Sequence, residues 1–321
     1  MFTWCLIPLM SEAQVNFTFT YPEPSMGPAN LLNAGDAIAT ARRSAIASAA
    51  AKYASAFANY DANVVVEAIG YSSPGSGTLA SAGTYFVSGN PGFGEAETTR
   101  KKIVSNGTVD RTGSSADAIL YVNFGKNWEF DHDATVSGTE FDWHSVIYHE
   151  FTHMVGFASG IQTDGGTNAR DLFENTTNGN WAAFDKFLTD SSMTASVFTD
   201  FNLNTGVYES LLSGPSAGLY FNSTDEGLLP LYSPASYAAG SSGSHLDTSF
   251  TGQMMRPFIP QGVQGAREFS DEEMAILKDI GYTDILQINA VPEPKHVVLG
   301  LGGIAFIAVL ARRRILRNRE N

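Results

Sequence analysis

The spacing of apolar positions changes several times along the chain, and each change marks an element. From Asn33 to Tyr60 the sequence is rich in alanine, and Ile46, Ala49, Tyr53, Phe57 and Tyr60 recur at intervals of three and four, which places them on one face of an amphipathic helix. The run Asn63 to Tyr71 (NVVVEAIGY) is short and β-branched and reads as a strand. Gly and Ser dominate Ser72 to Gly83 (SSPGSGTLASAG), which reads as a loop, and Ala116 to Gly125 (ADAILYVNFG) reads as a second strand. Helical spacing returns from about Glu140 to Val155, with Thr139 and Asp142 resembling a capping box and Gly156 suited to the left-handed conformation that stops a helix. Trp181 to Asp190 (WAAFDKFLTD) reads as a short helix and Thr199 to Gly243 as loop-rich. A closing helix, SDEEMAILKDIGY, carries the capping pair Ser270 and Glu273 and a stop at Gly281. No repeat is evident. The expected domain, 14–286, is α+β: a mixed twisted sheet with helices in the N-terminal part, then a loop-rich C-terminal part.

Composition narrows the class. With 321 residues, 43% apolar content, 21 Phe and 12 Tyr, the chain can fill a large core. Its net charge of −14 understates the acidity, because the last ten residues hold five arginines; without them 14 basic and 32 acidic residues remain. So acidic a body repels phosphate backbones, which argues against a nucleic-acid partner. The single cysteine, Cys5, argues against a disulfide-stapled domain and against a cysteine nucleophile.

Both ends read as targeting segments. Residues 1–13 hold an apolar run, Phe2 to Met10, and small residues at Ser11 and Ala13, which suits a signal peptide or its remnant, although the basic start of such peptides is missing. At the other end Gln287 to Pro294 is a linker, followed by an apolar run over 297–311 and then Arg312, Arg313 and Arg314. Fifteen helical residues cover roughly 22 Å of a hydrocarbon core of roughly 30 Å, and Ile315 and Leu316 can extend them. This predicts a transmembrane helix held at its basic end in the cytoplasm. Val-Pro-Glu-Pro at Val291 to Pro294, the apolar span and the arginine cluster, in that order, resemble the PEP-CTERM sorting signal of exported Gram-negative proteins. The resemblance implies residence in the cell envelope or outside the cell, transient anchoring in the membrane, and an exosortase-type enzyme as partner of the tail 287–321.

The chemistry is carried by YHEFTHMVGFASG, Tyr148 to Gly160. At about 100° per residue, His149 and His153 project from one helix face one turn apart, and two such imidazoles can bind one zinc ion. Glu150 points to the side of that axis, placed to take a proton from water at the metal and return it to a leaving amine. Two histidines and a glutamate at these offsets arise by chance in roughly one such chain in a hundred. The plain alternative is a histidine pair satisfied in a core without metal. Zinc needs a third protein ligand, and Ser159 stands six residues after His153, where a compact zinc protease has its third histidine. Of the six histidines, His144 lies about 140° round the helix and faces away, His132 sits in an acidic loop and reads as solvated, and His296 belongs to the tail. His245 remains, in a Gly/Ser-rich loop, or a carboxylate such as Asp171 or Glu174 about twenty residues downstream. Met254 and Met255 follow His245 by nine and ten residues; a methionine pair ordinarily fills a core.

Taken together, HEFTHMVGF, a long insertion, GSSGSHLD, MMRP and DIGY resemble the leishmanolysin-like metzincins and their bacterial relatives, over about 140 residues from Asp142 to Tyr282. The resemblance implies that His149, His153 and His245 bind one catalytic zinc, that Glu150 is the general base, and that Met255, or Met254, is the methionine of the turn beneath the metal. It also implies endopeptidase activity on a peptide or protein substrate. The sequence shows no cysteine-switch prodomain and cannot form the disulfides of the eukaryotic relatives. The competing expectation is a catalytically inactive surface or extracellular-matrix protein on the same scaffold. Structural calcium in acidic loops such as Asp131 to Asp133 is a further expectation without a supporting motif.

Overall fold

The structure, a computed structural model, describes residues 14–288 apart from 25–27, 34, 88, 90, 164–168, 172–178 and 215–216. By its contacts the chain divides into 1–288 and 289–321. The expected signal peptide at 1–13 and membrane helix at 297–311 therefore lie outside the described residues. Among the described residues no helix is long and apolar enough to cross a membrane.

The principal elements, in chain order, are β1 (Val15–Thr20), α1 (Ala37–Ala54), β2 (Ala62–Tyr71), β3 (Ala80–Thr84), α2 (Thr98–Val104), β4 (Ala118–Asn123), α3 (Trp143–Met154), α4 (Thr205–Leu212), β5 (Tyr220–Ser223), β6 (Gly227–Pro230) and α5 (Asp271–Asp279). The largest sheet runs β1-β2-β4-β3. Its first three strands are parallel, and β3 is an antiparallel edge. The molecule is thus mixed α+β, as its patterning predicts.

Alternation decides which sheet face is covered. Val64, Val66 and Ala68 of β2 are fully buried, and Phe17 of β1 stacks on Phe151 of α3 with ring centroids 5.6 Å apart. Tyr53 of α1 meets Phe151 and Tyr148 at 5.4 and 5.9 Å, and its hydroxyl lies 3.0 Å from that of Thr152. These contacts wedge α3 against α1 and the sheet. Burying aromatic rings of this size in offset or tilted pairs is a large stabilising contribution.

The elements differ from the sequence reading in five places. Helix α1 starts at Ala37, where the Asp36 carboxylate accepts from the Ala39 amide at 2.7 Å, rather than near Asn33. Helix α3 starts at Trp143, because Phe141–Asp142 first pairs with Trp128–Glu129 as a short parallel bridge. The cap is Asp142 itself, accepting from the amides of His144 and Ser145 at 3.1 and 3.3 Å; its carboxylate is also clasped by Arg267 at 2.8 Å. The stretch expected as a loop up to Gly83 contains β3, whose five residues pair with β4 from Ala80↔Val122 to Thr84↔Ala118. Trp181 to Asp190 holds a 3-10 turn, Phe184–Phe187, between two short strand segments rather than an α-helix. Farther on, the loop-rich region contains α4 and the β5–β6 hairpin. Helix α5 carries the full Ser270–Glu273 capping box.

Candidate metal centre

Every residue of α3 is buried, which is uncommon for a helix carrying two histidines and a glutamate. The apolar and aromatic residues face the sheet and α1, while His149, Glu150 and His153 line a cleft of about 850 Å³. Gly156 ends the helix with φ +109°, and the turn that follows places the Phe157 carbonyl 2.8 Å from the Nδ1 of His153.

His245 arrives from the far side. Its backbone carbonyl accepts from the Tyr232 amide at 2.8 Å, and the next amide, that of Leu246, donates to the Met255 carbonyl at 2.8 Å. Gly243, at φ +79°, makes the preceding turn, and a Cβ there would lie 2.9 Å from Leu212. The Nε2 atoms of His149, His153 and His245 converge at mutual distances of 3.1, 3.1 and 3.2 Å. Those separations fall within hydrogen-bond range, but the chemistry forbids mutual bonds. Each Nδ1 faces a backbone carbonyl, Met254 at 2.8 Å, Phe157 at 2.8 Å and Ser241 at 2.9 Å, and a carbonyl can only accept. The protons therefore sit on Nδ1, and three Nε2 lone pairs aim at one point. Two nitrogens bound to one tetrahedral zinc at 2.0–2.1 Å lie about 3.3 Å apart, so the triangle fits such an ion closely. Carbonyls that accept from the far ring nitrogen also fix the ring orientation a metal needs.

Electrostatics agree with that arrangement. Burial lowers His149 to about 4 and His245 to about 3, the latter with help from its neighbour His149, and puts His153 well below the ordinary histidine range. All three rings are neutral at pH 7, the state that ligates. Burial pushes the Glu150 carboxyl up to about 8, against the pull of the Ala82 backbone amide on β3.

The remaining candidates separate. His144 packs its ring 4.8 Å from that of His132, away from the triad as its helical phase predicts. His132 is half-buried and bonds Asp133 at 3.1 Å. Asp171 pairs its backbone with Ile161 in a two-residue strand, while Glu174 and His296 lie outside the described residues. Among the described residues, the three histidines are the one group of three His, Cys, Asp or Glu side chains placed to share a metal.

Several supporting residues carry no sequence signal. Ser159, the position that lacks a ligand, is a strut: its amide donates to the Ser244 hydroxyl at 3.1 Å, next to His245, and its hydroxyl donates to Asp185 at 2.7 Å. Asp185 also accepts from the amides of Gly160 and Ala182 at 3.0 Å, and burial raises it to about 7. Both methionines are buried. The Met254 carbonyl orients His149 and its sulfur lies 3.7 Å from the Thr152 hydroxyl, while the Met255 amide donates to Glu273 at 2.6 Å. The glutamate of the α5 capping box thus also pins the methionine segment beneath the site, a role legible only once both segments are in place. Comparison with protein-family models, curated proteins and solved structures finds no match for this chain, so its functional reading stands on this geometry and on the sequence motifs.

Proposed function

We propose that the chain is a zinc-dependent endopeptidase of metzincin type, exported and sorted through its C-terminal tail. The observation that carries the reading is the convergence of three neutral, carbonyl-oriented histidines beside a buried glutamate at the edge of a sheet. His149, His153 and His245 would hold the ion. Zinc in such a site supplies Lewis acidity, lowering the pKa of a water towards about 7 and polarising a carbonyl.

The chain's own residues account for the rest. Glu150 would accept the proton of the attacking water and return it to the departing amine; burial raises its carboxyl in the metal-free fold, and a divalent cation beside it would favour the carboxylate that the first transfer needs. Among the described residues no strand pairs with the outer edge of β3, which runs along the same cleft, and such an edge can bind an extended peptide by main-chain hydrogen bonds. That favours a polypeptide over a compact substrate. Histidines with Nδ1 fixed by carbonyls keep the Nε2 triangle in place without substrate.

The test is cleavage of casein by the zinc-loaded protein. Glu150→Gln should leave zinc content unchanged and lower turnover by about 10²- to 10⁴-fold. If the pure zinc-loaded protein cleaves nothing in a broad peptide library, the endopeptidase reading falls and the inactive surface or matrix scaffold replaces it.

A further inference from the structure

The cleft that holds the three histidines also carries a cation that the proposed hydrolysis does not use. Arg256 follows Met255 directly and lines the cleft together with Pro257, Phe258 and Ile259. Its Nε is buried and meets no acceptor. No ion pair among the described residues involves it. Among the described residues its charge meets only the Phe258 ring, whose centroid lies 5.6 Å from the guanidinium carbon. Two other arginines withdrawn from water are fully committed. Arg100 donates to Glu97 and to the carbonyls of Gly94 and Ile280, and Arg267 clasps Asp142.

A guanidinium stays charged at any accessible pH and presents its donors as a planar fork, so a half-buried one with an idle N–H is short of an anion. The charged residues lining the cleft give it none: Glu97 is neutralised by Arg100, and Glu150 sits in the proton-transfer position. The surrounding backbone is held, with the Met255 amide on Glu273 at 2.6 Å and prolines at 257 and 260, so the fork is presented from a fixed base. In a chain of net charge −14, a lone cation on the cleft wall is also a local inversion of the field.

We propose that Arg256 is a specificity-determining residue that binds a carboxylate of the peptide close to the bond being cut, by paired N–H donation. The carboxylate is either an internal Asp or Glu side chain or the peptide's own C-terminus, the second of which would make the activity that of a carboxypeptidase. The inference rests on the peptide-hydrolase reading of the same site and narrows it to acidic substrates or to cleavage near a free C-terminus.

The experiment uses the zinc-loaded full chain with matched peptides that differ only in Glu against Gln at one position, or in a free against an amidated C-terminus. Wild-type protein should favour the carboxylate-bearing member of a pair by about 10- to 100-fold in kcat/KM. Arg256→Gln should bring that ratio to about one, Arg256→Lys should keep part of it, and Arg256→Glu should invert it towards lysine-bearing peptides. Melting temperature and zinc content verify that each variant is folded. The same pairs are then bound to Glu150→Gln protein and followed by fluorescence anisotropy, a readout independent of turnover. Preference confined to the Glu/Gln pairs identifies a side-chain carboxylate, and preference confined to the free and amidated pair identifies a C-terminal one. Cleavage with a wild-type ratio near one, or a ratio that survives in Arg256→Gln, overturns the assignment and leaves the endopeptidase reading intact. Arg256-dependent binding of acidic peptides without cleavage of any peptide keeps the assignment and overturns the endopeptidase. Neither binding preference nor cleavage overturns both.

Discussion

Three imidazole rings whose Nε2 atoms stand 3.1–3.2 Å apart should differ from three ordinary histidines in their response to acid. Burial holds His149 near 4 and His245 near 3, against an ordinary value of 6.5. Their folded values are depressed, so the metal-free fold binds fewer protons than the unfolded chain. The contribution of these rings to stability is therefore complete above pH 6.5 and is lost as pH falls towards about 4. For the metal the same numbers predict that the histidines impose no pH dependence: in Glu150→Gln protein, which lacks the neighbouring carboxyl raised to about 8, zinc affinity should stay flat from about pH 8 to about pH 5. Three ligands titrating near 6.5 would lose affinity by up to about tenfold per ligand for each unit below that value. Competition with a zinc indicator across that range measures it, and a steep decline starting at pH 6.5 would sink the burial argument. At this scale the sequence was informative for His149, Glu150 and His153, whose spacing on one helix is itself the geometry. It was mute on Ser159, since nothing local tells a serine that braces Ser244 and Asp185 from one left idle by a missing ligand.

Elements close the site through their ends. Gly156 stops α3 at φ +109°, and a Cβ built there stands 3.1 Å from the Glu97 carboxylate and 3.3 Å from Arg100. Gly156→Ala combines backbone strain with that crowding and should destabilise the fold by about 1–3 kcal/mol, read as a melting temperature lower by several degrees. A melting temperature that holds or rises would show that the turn relaxes freely. Helix α5 was legible to its cap, because Ser270 and Glu273 form a purely local pattern. Strand β3 was not. Its Ala, Ser and Gly side chains carry no strand signal, and it forms because β4 offers five residues of ladder. The start of α3 shifted for a related reason: the bridge between Trp128–Glu129 and Phe141–Asp142 claims the residues that local capping rules assign to the helix.

For the molecule as a whole, the mixed α+β class followed from where helical and strand periodicities alternate. The routing of 160–245 did not, because pairs such as Leu188↔Phe221 and Asn180↔Gly92 are set by partners remote in sequence. The tail is readable only as sequence. Its charge asymmetry predicts that removing residues 291–321 moves the protein from the envelope fraction to the soluble one, as fractionation and immunoblotting would show. Finding the full-length protein soluble in the cytoplasm would end the sorting proposal.

Two of the proposed ligands lie one helical turn apart, but the third is 92 residues beyond His153. A metal shared by all three would therefore act as a reversible cross-link over a long chain loop. Constraints on long loops remove the most freedom from the open chain, and a ligand that binds only the closed form adds stability with its concentration. Chelation should then loosen the protein unevenly: the 160–245 segment becomes the first target of added trypsin or another protease that needs no metal, while the sheet and α1 stay protected, and zinc restores resistance. Peptide mapping of the first cuts decides it, and cuts spread evenly over the chain would show that the fold holds its loop without the ion. Metal supply would then set the lifetime of the protein as well as the proposed activity.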